Sequence, residues 1–109
     1  MDYALDSAFD DEKKRWTVSI IGEVDIFNSA DMKKSLTDLI KQNNTDIVLE
    51  CKYLDYIDST ALGALVGVLK NVKSYGGSIY LRNVKPNLSK LFRITDLDKV
   101  FIMEGEVSE

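Results

Sequence analysis

Histidine is missing from this 109-residue sequence, and cysteine and proline occur once each. Without an imidazole, no Ser-His-Asp or Cys-His nucleophile can be assembled. Without His and with Cys51 alone, the usual zinc constellations and an internal disulfide are excluded as well. An excess of positive charge is also lacking: 14 Lys and Arg face 18 Asp and Glu, for a net charge of -4. That balance lacks the basic footprint of a nucleic-acid binder. The longest apolar-rich stretch, residues 61–72, is interrupted by Lys70 and Asn71 and falls short of the ~20 residues that cross a bilayer. Met1 is followed by acidic, alternating residues and not by a basic segment and an apolar run, so the expected location is the cytoplasm, with no membrane attachment. No GxxxxGK[ST] phosphate loop occurs, and Gly76-Gly77 precedes a strand pattern and not a helix, which argues against an ordinary NTPase.

What remains is a globular composition, 45% hydrophobic and 29% charged, in a chain long enough for one domain spanning residues 1–109. Its core should cover about residues 3–103, leaving an acidic tail, 104–109, that frays or forms at most one helical turn. Residues 3–9 and 16–24 alternate in polarity around the charged run 10–15, which reads as a hairpin. Asn28 or Ser29 can cap a helix carrying Met32, Leu36, Leu39 and Ile40 on one face, and Asn43-Asn44 should end it in the left-handed conformation. Ile47-Val48-Leu49 is short, continuous and β-branched, as in a strand covered on both faces. Asp58 can cap a helix over residues 59–75, stopped by Gly76-Gly77. A strand at 78–82, a short helix opened by Pro86 with Leu88, Leu91 and Phe92 on one face, and a last strand at 100–103 complete the order ββαβαβαβ. The fold class is therefore α/β: a mixed, mostly parallel sheet with an antiparallel N-terminal hairpin and helices packed on it.

The chemistry concentrates in residues 53–67, where a strand-to-helix turn carries Asp58, Ser59 and Thr60. Unpaired amides and the helix dipole favour an anion there, including a phosphate carried by a side chain. The same three residues also read simply as a cap. The following helix is apolar nearly all round, through Ala61, Leu62, Ala64, Leu65, Val66, Val68 and Leu69. It either exposes a face for a partner or is buried under a neighbouring helix, with Gly63 and Gly67 permitting close packing. If the second strand neighbours the buried one in parallel, Asp25 emerges beside Asp58 and two carboxylates flank Ser59; Asp25 also reads as the cap of its own next segment. Two acids without a third ligand assign no metal. Cys51 reads as a strand residue and Trp16 as a packing aromatic. A receiver-type phosphoacceptor is disfavoured, because the hairpin-first order lacks an acidic pair after the first strand.

The segments Gly22-Glu23-Val24-Asp25, Tyr56-Ile57-Asp58-Ser59-Thr60-Ala61-Leu62-Gly63, Gly76-Gly77 and Leu91-Phe92-Arg93-Ile94-Thr95-Asp96-Leu97 closely resemble the bacterial anti-sigma factor antagonists of the STAS-domain family. The resemblance spans nearly the whole chain. It implies phosphorylation at Ser59, a partner interface of Gly22, Asp25, Asp58, Thr60, Leu62 and Gly63, and neither a catalytic residue nor a cofactor in this chain. The implied partners are an anti-sigma factor with a GHKL-type serine kinase fold, which the unmodified protein binds so that the sigma factor is released, and a PP2C-type phosphatase that reverses the modification. The free protein would be a monomer and not an enzyme. Ala61 stands where many members have Gly, which stiffens the helix start and bears on how efficiently Ser59 is reached. A different class of function is a sensory or scaffold STAS module, binding another domain or a small ligand. Nucleophilic catalysis by Ser59 would need a base that no spacing supplies.

Overall fold

The alternation near the N-terminus belongs to an antiparallel pair, β1 (Tyr3–Asp10) and β2 (Arg15–Val24), in the computed structural model, which describes residues 2–105. Asp10 closes the turn between them: its Oδ1 accepts the amides of Glu12 and Lys13, each at 3.0 Å. These bonds, that from Lys13 foremost, hold the Asp10 carboxyl below its usual pKa. At the other end of β1 the Tyr3 hydroxyl donates to Asp31, tying the edge strand to the first helix.

The second strand is the hub. The first half of β2 pairs in parallel with β3 (Ile47–Glu50), which pairs with β5 (Ile79–Arg82), which pairs with β6 (Ile102–Glu104). The central position of β3, buried through Ile47, Val48 and Leu49, is the physical reason its sequence is continuously apolar. The far end of β2 pairs in parallel with a further strand, β4 (Leu54–Ile57), which the expected order omits; the observed order is ββαββαβαβ. Four residues whose two central side chains are exposed carry neither an alternating nor a continuous apolar signal.

Gly22 makes the change of partner possible. Its φ is +96°, and a Cβ there would lie 2.4 Å from the Asp2 carbonyl oxygen. Its amide donates to Tyr53 at 2.9 Å, and the strand register shifts between Gly22 and Glu23.

The first helix, α1 (Ser29–Gln42), buries Met32, Leu36 and Ile40, with Leu39 half-buried. It ends at Asn43 in an extended conformation, not the left-handed one expected, so the chain passes directly toward β3. The second helix, α2 (Ser59–Lys73), stops two residues before the expected end, and Gly76 at φ +82° turns the chain so that the Gly77 amide reaches Val72. The apolar girth of α2 is mostly resolved by burial. Ala61, Leu62, Leu65, Val68 and Leu69 enter the core, and α1 passes so close to Gly67 that an added Cβ would meet Lys33 Nζ at 2.7 Å. The third helix, α3 (Pro86–Ile94), opens on its proline and buries Leu88 and Phe92, the latter edge-on to Phe101 at 5.6 Å. A 3-10 turn at Leu97–Lys99, absent from the expected order, displaces the last strand to Ile102–Glu104. Glu104 thus belongs to a strand, and the rest of the expected tail past residue 105 lies outside the described residues.

Candidate functional site

Two parallel strands create the site. Val24 of β2 stands opposite Ile57 of β4, so the next residue of each, Asp25 and Asp58, leaves the sheet at the same end. The Asp58 amide donates to the Val24 carbonyl at 3.3 Å, continuing the ladder into the turn.

Asp58 then divides its carboxylate between two elements. Its Oδ1 accepts the Ala61 amide at 2.8 Å, capping α2, and its Oδ2 accepts the Ile26 amide at 2.9 Å from the turn after β2. Both bonds are charge-assisted, so one half-buried side chain fixes the relative positions of the helix start and the turn.

Asp25 is 7% exposed, and its Oδ1 accepts the amides of Phe27 at 2.9 Å and Asn28 at 3.3 Å. Asn28 answers from the other side: its Oδ1 accepts the Asp25 amide at 2.8 Å and its Nδ2 donates to the Glu23 carbonyl at 3.0 Å. Asn28 therefore occupies the cap position of α1 without capping it through its side chain, because that side chain is committed to the turn. Asp25 serves its own turn, the structural alternative stated above. Its Oδ1 is committed to that turn, and the residue is largely buried there.

Leu62, at 7% exposure, packs into the core beneath α2. Gly22 is half-buried and acts as a backbone joint. The remaining expected residues do share the exposed end: Ser59 and Thr60 in the first turn of α2, half-buried Asp58 before them, and Gly63 with nothing within 4 Å of an added Cβ. Ser59 Oγ has no hydrogen-bond partner among the described residues. Asp58 takes the Ala61 amide by its side chain and the Leu62 amide by its carbonyl, leaving those of Ser59 and Thr60 directed outward at the positive end of the helix. An added phosphate would be tolerated there by the helix itself.

Sequence reasoning missed the most exposed apolar group of this end. Ile26 and Phe27 are 62% and 92% exposed, on the turn that Asp25 and Asp58 hold rigid. The available signal was two large apolar residues directly after Gly-Glu-Val-Asp, where a turn offers no core to receive them. Tyr53 and Tyr56 are also exposed, beside and within β4, and Lys52 lies 5.7 Å from the Tyr53 ring centre. Cys51 falls one residue past β3; desolvation first and the Glu50 charge second push its thiol up to about 12, so it is chemically inert. No group of three or more His, Cys, Asp or Glu suited to a metal occurs among the described residues. No helix among them is long and apolar enough to cross a membrane.

Comparison with known proteins adds a relationship to this geometry. The model of the STAS domain matches residues 11–109. The anti-sigma-B factor antagonist of Bacillus subtilis is 39% identical over 83 residues, covering 76% of this chain and 75% of that protein. A crystal structure from Thermotoga maritima, of a candidate anti-sigma factor antagonist, superposes with a TM-score of 0.78 at 27% identity over 92% of this chain and 85% of the other. The Bacillus cell fate determinant SpoIIAA in its phosphorylated form shares the fold at a TM-score of 0.71 and 19% identity, over 98% of this chain and 93% of that one.

Proposed function

We infer function from family and geometry together: this chain belongs to the STAS-domain family, as one of its anti-sigma factor antagonists. We propose that its unphosphorylated form binds an anti-sigma factor of GHKL-type serine kinase fold in the cytoplasm and thereby releases a sigma factor to permit transcription. Phosphorylation of Ser59 by that kinase ends the binding, and a PP2C-type phosphatase restores it. The chain is a substrate and switch and not an enzyme; ATP and magnesium belong to the kinase.

The observation that carries this reading is the exposed Ser59 hydroxyl at the start of α2, on the same end as the rigidly held Ile26 and Phe27. Exposed aromatic anchors surrounded by polar groups are what protein interfaces use for affinity. A phosphate adds about -1.5 to -2 charges beside Asp58. A partner surface complementary to one carboxylate would then face an uncompensated, desolvated excess of negative charge, which costs several kcal/mol. The fold is left intact, because the charge sits where helix amides face outward. That SpoIIAA, of the same fold, exists in a phosphorylated form supports a phosphate being accommodated on this architecture.

Incubation with candidate kinases and ATP, read by intact mass and peptide localisation, tests the acceptor and the partner together. Ser59→Ala should retain kinase binding and lose phosphate incorporation, and Ser59→Asp should weaken binding by at least tenfold. Undiminished phosphorylation of Ser59→Ala would remove Ser59 from the mechanism. Large self-assembly with no kinase captured would favour the scaffold function over the switch.

A further inference from the structure

We propose that the groove between the C-terminal half of α2 and the 3-10 turn binds a free fatty acid, its alkyl chain along Val66, Leu69, Leu97 and Val100 and its carboxylate against Lys70 and Lys73. The cavity has a volume of about 470 Å³ and is lined by these six residues alone, four aliphatic and two cationic. Sites for small molecules occupy roughly 300 to 1,000 Å³ and combine an apolar lining with a few polar groups that fix orientation. Val100 at its rim is 45% exposed, a large apolar side chain with no cover.

Charge decides the class of ligand. The chain is acidic overall, at -4, yet no acid lines this groove. Among the described residues neither Lys70 nor Lys73 has an ion-pair partner, and Lys73 reaches only the Ser78 hydroxyl at 3.5 Å. Residues three apart on a helix are neighbours, which places both lysines on the groove side of α2. An amphipathic helix lays anchors at i, i+3, i+4 and i+7 along an extended groove, whereas this cavity is a single depression of about 470 Å³. A membrane surface is recognised by clusters of roughly four to eight cations, against two here. The remaining fit is a single alkyl chain with one anionic head. The groove begins seven residues into α2, on the order of 10 Å along the axis from Ser59, so this inference is independent of the phosphorylation switch.

Titration of the isotope-labelled full chain with octanoate, decanoate and dodecanoate, each below its micelle concentration, tests it. Amide resonances of residues 66–73 and 97–100 should shift saturably, and affinity should rise by up to about fourfold per added methylene until the groove is filled. Val100→Glu should weaken dodecanoate binding at least tenfold, and the double variant Lys70→Glu with Lys73→Glu at least fivefold, with unchanged circular dichroism. Absence of saturable shifts at millimolar ligand, affinity indifferent to chain length, wild-type binding by the variants, or binding to anionic phosphatidylglycerol vesicles but not to monomeric dodecanoate would each overturn the proposal.

Discussion

Replacing Asp58 separates the two functions that its carboxylate combines. In Asp58→Ala the Ala61 amide loses its cap, a loss of about 1 kcal/mol, and the Ile26 amide loses a charged acceptor, worth roughly 1.5 kcal/mol at this partly exposed position. Together these predict about 2.5 kcal/mol. A chain of 109 residues unfolds with an entropy of about 0.23 kcal/mol/K, so the melting temperature should fall by roughly 10 °C.

Asp58→Asn is the informative control. Asparagine caps helices as well as aspartate does, so its single side-chain oxygen can still accept the Ala61 amide. Its NH2 group then faces the Ile26 amide, donor against donor, and that bond is lost. The Asn variant should lose about 1.5 kcal/mol, an intermediate value, with faster hydrogen exchange at Ile26 and preserved protection at Ala61. Urea unfolding combined with residue-resolved exchange measures both quantities. Equal destabilisation by Asn and Ala, or an Ile26 amide whose protection is unchanged in Asp58→Ala, would refute the claim that this side chain links the helix to the turn.

Other changes probe the parts around it. Phe27→Ala should leave stability within about 0.5 kcal/mol, since the ring is solvated, and lower affinity for the proposed kinase partner at least tenfold by calorimetry; an unchanged affinity would take Phe27 out of the proposed interface. Gly22→Ala, which puts a Cβ 2.4 Å from a backbone oxygen at φ +96°, should cost about 2 kcal/mol or more in urea unfolding, and a neutral result would contradict the joint assigned to this residue. Cys51 should resist an aromatic disulfide reagent in the native protein and react at once in denaturant, given its burial and a thiol pushed up to about 12; rapid native labelling would contradict both. The lowered Asp10 carboxyl adds stability that is present above its unfolded value of 3.8 and is lost as pH falls through the folded one, so Asp10→Asn should flatten the decline in urea midpoint below about pH 5 relative to wild type.

Long-period patterns carried most of the architecture into the sequence. Met32, Leu36 and Ile40 specify one helix face, the hairpin alternates as an edge pair must, and Ile47 to Leu49 announce a strand covered on both sides. Even the meeting of Asp25 with Asp58 follows once β2 is given a parallel neighbour. That neighbour at this end is nevertheless β4, a strand no pattern revealed, because its pairing depends on the Gly22 joint and on a shift of register, both tertiary facts. Leu62 illustrates the converse. Its place after Asp58-Ser59-Thr60 suggests a surface role, yet only the packing of α2 determines that its side chain points inward. Asn28 and Asp25 show a third kind of ambiguity: residues able to cap a helix or hold a turn have identical composition in both uses, and the choice appears only in the partner atoms.

In the proposed switch, the geometry of this end keeps switching and stability apart. The polar atoms that fix the turn are committed to one another: Asp25 to Phe27 and Asn28, Asn28 to Asp25 and Glu23, Asp58 to Ile26 and Ala61. What points outward is an aromatic ring, a free serine hydroxyl and two helix amides, none of which the fold needs for its own integrity. A modification at the hydroxyl therefore alters the surface a partner meets while that network continues to hold Phe27 in place. In the proposed switch, a phosphate added to an end that already carries Asp58, on a chain of net charge -4, exceeds the single negative charge that the partner surface is matched to. The proposed switch would thus release its partner by electrostatics at the interface, and removal of the phosphate would restore a docking surface that was never dismantled.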